Sequence, residues 1–314
     1  MTGRTPRQVE HRAAVSAPAS EVYRLIADVG NWPLIFEPSV YVDYVERGAD
    51  RERIRMWADV NGEVKSWTSR RLLDAAAGRI EFRQEVSAPP VAAMGGAWVV
   101  EPTGPDTCLV RLLHDFRAVG DDQEKLDWIG TAVDRNSRSE LAALQRHARR
   151  STSSDALTMT FEDTLRIAAP VEKVYDFVNE AQHWADRLPH VTQVELREET
   201  PGVQQLRMAT RTKDGSAHST ESVRVCFRND RIVYKQTVLP ALLDLHTGCW
   251  RFEPDDGGTV ATSRHTAVIN ENSIPEVLGG QAGITEARDF VRTALGGNSL
   301  ATLGRARQFA EAGS

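Results

Sequence analysis

Residues 79–102, RIEFRQEVSAPPVAAMGGAWVVEP, return as residues 231–254, RIVYKQTVLPALLDLHTGCWRFEP, 152 positions later. Arg79-Ile80, Gln84, Val86, Gly96, Trp98 and Glu101-Pro102 meet Arg231-Ile232, Gln236, Val238, Gly248, Trp250 and Glu253-Pro254. The same offset holds upstream, where Ala17-Pro18, Val22-Tyr23 and Trp32 match Ala169-Pro170, Val174-Tyr175 and Trp184. A strand slipped by one residue turns its buried side chains outward, so an offset kept without net insertion means one structural unit copied in tandem. Whatever the chain does belongs to a unit of ordinary domain length.

Working outward, each copy opens with a short alternating stretch, His11 to Ser16 and Thr158 to Ala168, followed by Ala-Pro and an apolar stripe at helical spacing. Pro18 and Pro170 suit a first helical turn, where a missing N–H costs nothing. Strands joined by tight turns follow to about residues 118 and 269. Asn61-Gly62 is a hairpin signal between Arg53–Val60 and Glu63–Leu73, and short turns imply antiparallel pairing. Each copy closes with a long helical segment, the first capped by Asp121-Asp122 and the second opened by Ser273-Ile274-Pro275, with Gly296-Gly297 expected to kink or interrupt it. Residues 149–155, RRSTSSD, lack periodicity. The expected organisation is a first domain over 1–150, a linker over 151–157 and a second domain over 158–314. Each is α+β, an antiparallel sheet curled around a long C-terminal helix with a cavity between them.

With 314 residues, both copies can bury a core unaided. A net charge of −6 offers no cationic footprint for nucleic acid. Three scattered cysteines suit neither a disulfide framework nor a zinc site. No apolar run approaches the roughly 20 residues that span a bilayer, and a soluble cytoplasmic protein without membrane partners is expected. Serine triads, phosphate-binding glycine loops, metal clusters and dinucleotide fingerprints are missing from the sequence, so cofactor-free and metal-free chemistry is expected.

Asn31-Trp32-Pro33-Leu34-Ile35-Phe36, the strand Trp67-Thr68-Ser69-Arg70-Arg71 and Met94-Gly95-Gly96-Ala97-Trp98 resemble the bacterial aromatic polyketide aromatase/cyclases, in their di-domain branch. That resemblance implies tandem helix-grip (START or Bet v1-like) domains. It also implies an aromatase/cyclase that guides first-ring aldol closure, dehydration or aromatisation of a carrier-bound poly-β-ketone, between the seventh and twelfth carbons. Partners would be an acyl carrier protein and other components of a type II polyketide synthase. A non-catalytic carrier of hydrophobic ligands is the rival reading, since the fold alone serves both. Ser39 departs from the family's single-domain pattern, which has tyrosine there.

Alternation along residues 67–73 places Ser69 and Arg71 on one face and Arg70 on the other. The resemblance selects Arg71 as the pocket cation, against the plain reading of a surface arginine, with truncation expected to spare the fold. Strict offset sets Val223 opposite Arg71, whereas a one-residue slip in a turn sets Arg224 there. His114 lies in the apolar phase of its strand and suits acid–base work or a hydrogen-bonded core position. Arg264 and His265 compete for the matching place. Trp32, Phe36, Trp67, Met94, Trp98 and Asn136 are candidate substrate contacts in the first copy, and Trp184, His246, Trp250 and Asn298 in the second. Core packing explains the tryptophans and Met94 as readily, and helix-surface positions explain the asparagines. The exchange of Met94 for His246 makes the two cavities chemically different.

Overall fold

The computed structural model describes residues 5–60, 62–153, 156–211 and 217–312. Contacts divide the chain into two units, residues 1–153 and 154–314. The first unit contains β1 (Arg7–Val15), α1 (Ala19–Ala27), α2 (Trp32–Ile35), β2 (Ser39–Arg47), β3 (Arg51–Val60), β4 (Glu63–Asp74), β5 (Arg79–Gln84), β6 (Val91–Gly104), β7 (Thr107–Ala118) and α3 (Gln123–Ser153). The second contains β8 (Thr158–Ile167), α4 (Val171–Asn179), α5 (Trp184–Arg187), β9 (Val191–Thr200), β10 (Val203–Arg211), β11 (Ala217–Phe227), β12 (Arg231–Val238), β13 (Leu243–Asp255), β14 (Gly258–Ile269), α6 (Ile274–Leu278) and α7 (Ile284–Glu311). Each unit has one seven-stranded antiparallel sheet, ordered β1-β7-β6-β5-β4-β3-β2 and β8-β14-β13-β12-β11-β10-β9. The duplication seen in sequence is thus a duplication of topology.

Local chemistry sets these elements. Pro18 caps α1, whose period brings Val22, Leu25 and Ile26 to one buried side. They meet Ile80, Trp98, Val110 and Leu112 from the sheet and Leu141, Leu144 and Ala148 from α3. Truncating a fully buried member such as Leu144 to alanine costs about 2–5 kcal/mol. In the second unit Val174, Phe177 and Val178 of α4 meet Trp250, Phe252, Leu303 and Ala306 in the same arrangement. At the β3–β4 hairpin Gly62 has φ +84° and donates its N–H to Asp59 Oδ1 at 2.7 Å. Its neighbour Asn61 lies outside the described residues.

Three boundaries differ from the sequence expectation. Helix α3 runs through Ser153, three residues into the polar stretch read as linker, because serine and threonine end a helix only where a cap or breaker accompanies them. Residues 154 and 155 of that linker lie outside the described residues. Ser273-Ile274-Pro275 opens a separate short helix, α6, which stops at Gly279 with φ +93°, and α7 begins afresh at Ile284. Gly296-Gly297 neither kinks nor interrupts α7, which continues to Glu311. Gly296 instead admits a close approach: a Cβ there would lie 1.9 Å from Arg292 Nη1 and 2.8 Å from Asp163 Oδ2.

Candidate active site

Between sheet and α3 the first unit holds a cavity of about 470 Å³. Trp32, Phe36, Trp67, Ser69, Arg71, Met94, Trp98, His114 and Asn136, the first-copy candidates, all line it. The β4 alternation decides the arginine pair. Arg71 has a side chain 1% exposed, whereas Arg70 is 76% exposed and pairs with Glu85 on the outer face.

Arg71 is not a free cation. Its Nη1 donates to the Ala27 carbonyl at 3.0 Å and to Glu52 Oε2 at 2.9 Å, and its Nη2 donates to the Ile26 carbonyl at 2.8 Å. Those carbonyls end α1, where backbone acceptors lack helical partners and the helix dipole favours positive charge. The guanidinium carbon sits 5.2 Å from the Trp32 ring centroid, a cation–π distance. Burial pushes the Glu52 carboxyl up and the guanidinium down, and each charge opposes the other's shift. Three of the five N–H groups of an arginine are therefore committed to protein acceptors here, and the remainder can face the cavity that Arg71 lines.

His114, from β7, stacks edge-on to Phe82 at 5.4 Å, with its Nδ1 3.4 Å from Ser137 Oγ on α3. Burial first, and the nearby His11 second, pull its pKa down to about 4, so the ring is neutral at physiological pH. Glu140, one helical turn beyond Asn136, also lines the cavity, and burial raises its carboxyl to about 7. Sequence reasoning missed it, although the four-residue spacing from Asn136 on one helix face was visible. Glu52 was missed as well.

The second unit repeats the frame with different chemistry. Cross-strand register pairs Arg71 with Phe82 and Arg224 with Tyr234, residues at the constant offset, so Arg224 and not Val223 is the counterpart of Arg71. Likewise His114 faces Gly96 and His265 faces Gly248, which settles the competition for His265. Arg264 lies outside, 52% exposed, near Glu162. Where the first unit has Phe82, Met94 and Leu112, the second has Tyr234, His246 and Ser263, and all three converge on His265. His246 Nε2 lies 2.9 Å from His265 Nδ1, Tyr234 Oη 3.1 Å from that nitrogen, and Ser263 and Ser299 hydroxyls 3.1 and 2.8 Å from His265 Nε2. Burial holds the His246 pKa near about 3 and that of His265 near about 4. Trp184, His246, Trp250 and Asn298 all line this cavity, as does Arg224, yet its volume is only about 130 Å³. Small-molecule pockets occupy about 300–1,000 Å³, a range that includes the first cavity and excludes the second.

Against known proteins, the profile of a family described as polyketide cyclase/dehydrase and lipid transport matches twice, over residues 6–149 and 158–309. The chain is 47% identical over 303 residues to the granaticin polyketide synthase bifunctional cyclase/dehydratase of Streptomyces virginiae, covering 95% of this chain and 98% of that one. It is 45% identical over 306 residues to the actinorhodin polyketide synthase bifunctional cyclase/dehydratase of Streptomyces coelicolor, covering 94% of each. Among solved structures it superposes on the di-domain ARO/CYC BexL from the BE-7585A biosynthetic pathway with a TM-score of 0.92, 61% identity and 97% and 99% coverage. The di-domain ARO/CYC StfQ from the steffimycin biosynthetic pathway gives 0.89, at 35% identity over 98% and 100% of the two chains.

Proposed function

The chain belongs to the polyketide cyclase/dehydrase and lipid transport family, and on that premise we propose that it is an aromatase/cyclase of an aromatic polyketide synthase whose chemistry takes place in the N-terminal cavity. The observation that carries this reading is the asymmetry between the halves. Of the two cavities that hold a buried arginine, the first alone, among the described residues, combines room for a folded chain with a carboxyl raised to about 7.

A poly-β-ketone needs little help to enolise, since its methylenes lie between two carbonyls. The task is to select which carbon meets which carbonyl. A walled cavity does so by proximity, which can account for about 7–11 kcal/mol of barrier in well-oriented cases. Trp32, Phe36, Trp67, Met94 and Trp98 supply apolar walls against which a folded chain keeps one shape. Glu140, poised near neutrality, takes a methylene proton as carboxylate. The resulting carbanion attacks the facing carbonyl carbon, and the new alkoxide gathers charge that Arg71 and the Asn136 amide stabilise. The protonated Glu140 returns its proton to the alkoxide, giving the aldol hydroxyl. As a carboxylate again it removes the remaining proton of the attacking carbon and delivers it to the departing hydroxyl, so water leaves, and enolisation of the remaining ring ketones completes the aromatic ring. Neutral His114, hydrogen-bonded through Ser137, holds a carbonyl or relays that proton, with Ser69 beside Arg71 as a further hydroxyl contact.

The same proposal includes closure between the seventh and twelfth carbons, presentation on an acyl carrier protein with other type II synthase components, and residence in the cytoplasm. No helix among the described residues is long and apolar enough to cross a membrane. Reconstitution with a minimal synthase tests it. The intact chain is expected to give one ring register, and Glu140→Gln or Asn136→Ala to release spontaneously cyclised by-products. An unchanged product spectrum with both variants removes the N-terminal cavity from the chemistry, and a change of yield without a change of register favours a carrier.

A further inference from the structure

Among the described residues, the buried cation of the C-terminal cavity has no counter-ion beside it. Arg224 is 2% exposed and lines the cavity. Its Nη2 donates to the Val178 carbonyl at 2.6 Å, and its guanidinium carbon lies 5.3 Å from the Trp184 ring, as Arg71 lies over Trp32. The difference lies in the partner of the other nitrogen. Where the first unit has Glu52, the constant offset puts Gln204, 2% exposed and uncharged. Arg224 Nη1 consequently has no hydrogen-bond partner among the described residues, and neither does Gln204 Oε1. Among the described residues no carboxylate reaches ion-pair distance. Glu198, whose charge acts on Arg224, is an exposed residue engaged with Gln204 Nε2 at 2.8 Å. Cys226, another neighbour, is held as a thiol by burial, which raises its pKa.

A guanidinium in a water-poor site stays protonated and demands compensation, and a buried donor left unpaired costs about 1–3 kcal/mol. Arg224 lines the cavity, so a ligand held there meets the guanidinium. From these observations we infer that the C-terminal cavity is a binding site for a small carboxylate anion of acetate size, received on Arg224. A carboxylate matches the planar fork of a guanidinium. Thr220, Ser222, Ser299 and Thr302 line the same space with hydroxyls, and Trp184 and Leu206 offer an apolar wall to a methyl group. His246 and His265 line the same cavity. With the Gln236 oxygen accepting from His246 Nδ1–H at 2.9 Å, the inter-histidine contact places a proton on His265 Nδ1, and His265 Nε2 accepts from serine hydroxyls. Every histidine remains neutral in that arrangement and adds no competing charge. The inference does not depend on the cyclase reading, because it concerns the other cavity and reads binding.

The test is acetate titration of the full chain at constant ionic strength, with gluconate, too bulky for about 130 Å³, as the balancing anion. Thermal unfolding and the side-chain nitrogen resonance of Arg224 are followed together. Acetate is expected to raise the unfolding temperature saturably and to shift that resonance, as a ligand that binds only the folded state must. Gln204→Glu, which installs the carboxylate the first unit already has, is expected to weaken the acetate response about tenfold or more. Arg224→Gln is expected to abolish it, and either folded variant suffices. No saturable response in the unaltered chain, an equal response in Gln204→Glu, or chloride acting as strongly as acetate overturns the inference.

Discussion

Arg71 and Trp32 share one acceptor: the guanidinium at 2.8 Å and the indole Nε1–H at 3.1 Å both donate to the carbonyl oxygen of Ile26, while the guanidinium lies over the indole. The cation and the aromatic wall of the candidate site are thus fixed by the last turn of α1. Arg71 is a structural element as well as a candidate for chemistry, which revises the expectation that its truncation would spare the fold. Arg71→Ala leaves Glu52 buried and uncompensated and is expected to cost about 3–5 kcal/mol, read by denaturant unfolding. The double variant Arg71→Met/Glu52→Leu, which removes both charges, is expected to be more stable than Arg71→Ala. If the single truncation is as stable as the unaltered chain, the pair carries no weight.

Glu140 gives a pH signature. Its folded carboxyl titrates near about 7 against an ordinary value of 4.5, so the folded state holds a proton that the unfolded state has lost between those values. Stability from this group is therefore full below the ordinary value and declines as pH rises through about 7. Glu140→Gln is expected to flatten that decline, and to remove the pH limb near neutrality from the cyclisation rate while reducing the rate by about a hundredfold or more. A rate profile with the same limb in the variant assigns the titration elsewhere.

The buried histidines act with the opposite sign. His114 and His265 near about 4, and His246 near about 3, have folded values below the ordinary 6.5, so the unfolded chain binds protons first. Their contribution to stability is complete above about pH 6.5 and is lost as pH falls toward 4. Charge on His265 lowers the His246 value, so His265→Gln is expected to raise it and to soften acid unfolding of the second unit. Imidazole carbon resonances across the titration check both points, and a His114 that charges near 6.5 contradicts its burial.

How far the sequence led depends on what kind of information each feature needs. The fold was legible because a fixed offset and strand alternation survive in the order of residues; alternation put Arg70 and Arg71 on opposite faces of β4, and the family resemblance chose Arg71 as the inward one. Arg224 was ambiguous because its place depends on turn length: Arg71 and its cross-strand partner Phe82 are eleven positions apart, whereas Arg224 and Tyr234 are ten apart, so the β11–β12 turn is one residue shorter than its counterpart. The Glu52 partnership spans β3 and β4, and a cross-strand neighbour cannot be read until strands are aligned. Relative cavity size was beyond the sequence, since it follows from how Tyr234 and His246 pack on His265. Glu140 shows a different failure: a charged residue on a helix reads as solvated until the packing beneath it is known.

The two glycines of α7 give a final contrast in which propensity and packing pull apart. In a helix interior, glycine is about 1 kcal/mol less favourable than alanine. Gly297 has nothing within 4 Å of an added Cβ, so Gly297→Ala is expected to raise the stability of the second unit by about that amount. At Gly296 the added methyl would press on Arg292, whose guanidinium pairs bidentately with Asp163 at 2.9 and 2.6 Å. Asp163 is 9% exposed, so breaking its pair strands a largely buried carboxylate. Gly296→Ala is therefore expected to lower stability by about 1–3 kcal/mol despite the gain in propensity. Unfolding midpoints of the two variants measured side by side decide the matter: equal shifts in the same direction mean that propensity alone governs both sites and that the Arg292–Asp163 pair yields freely.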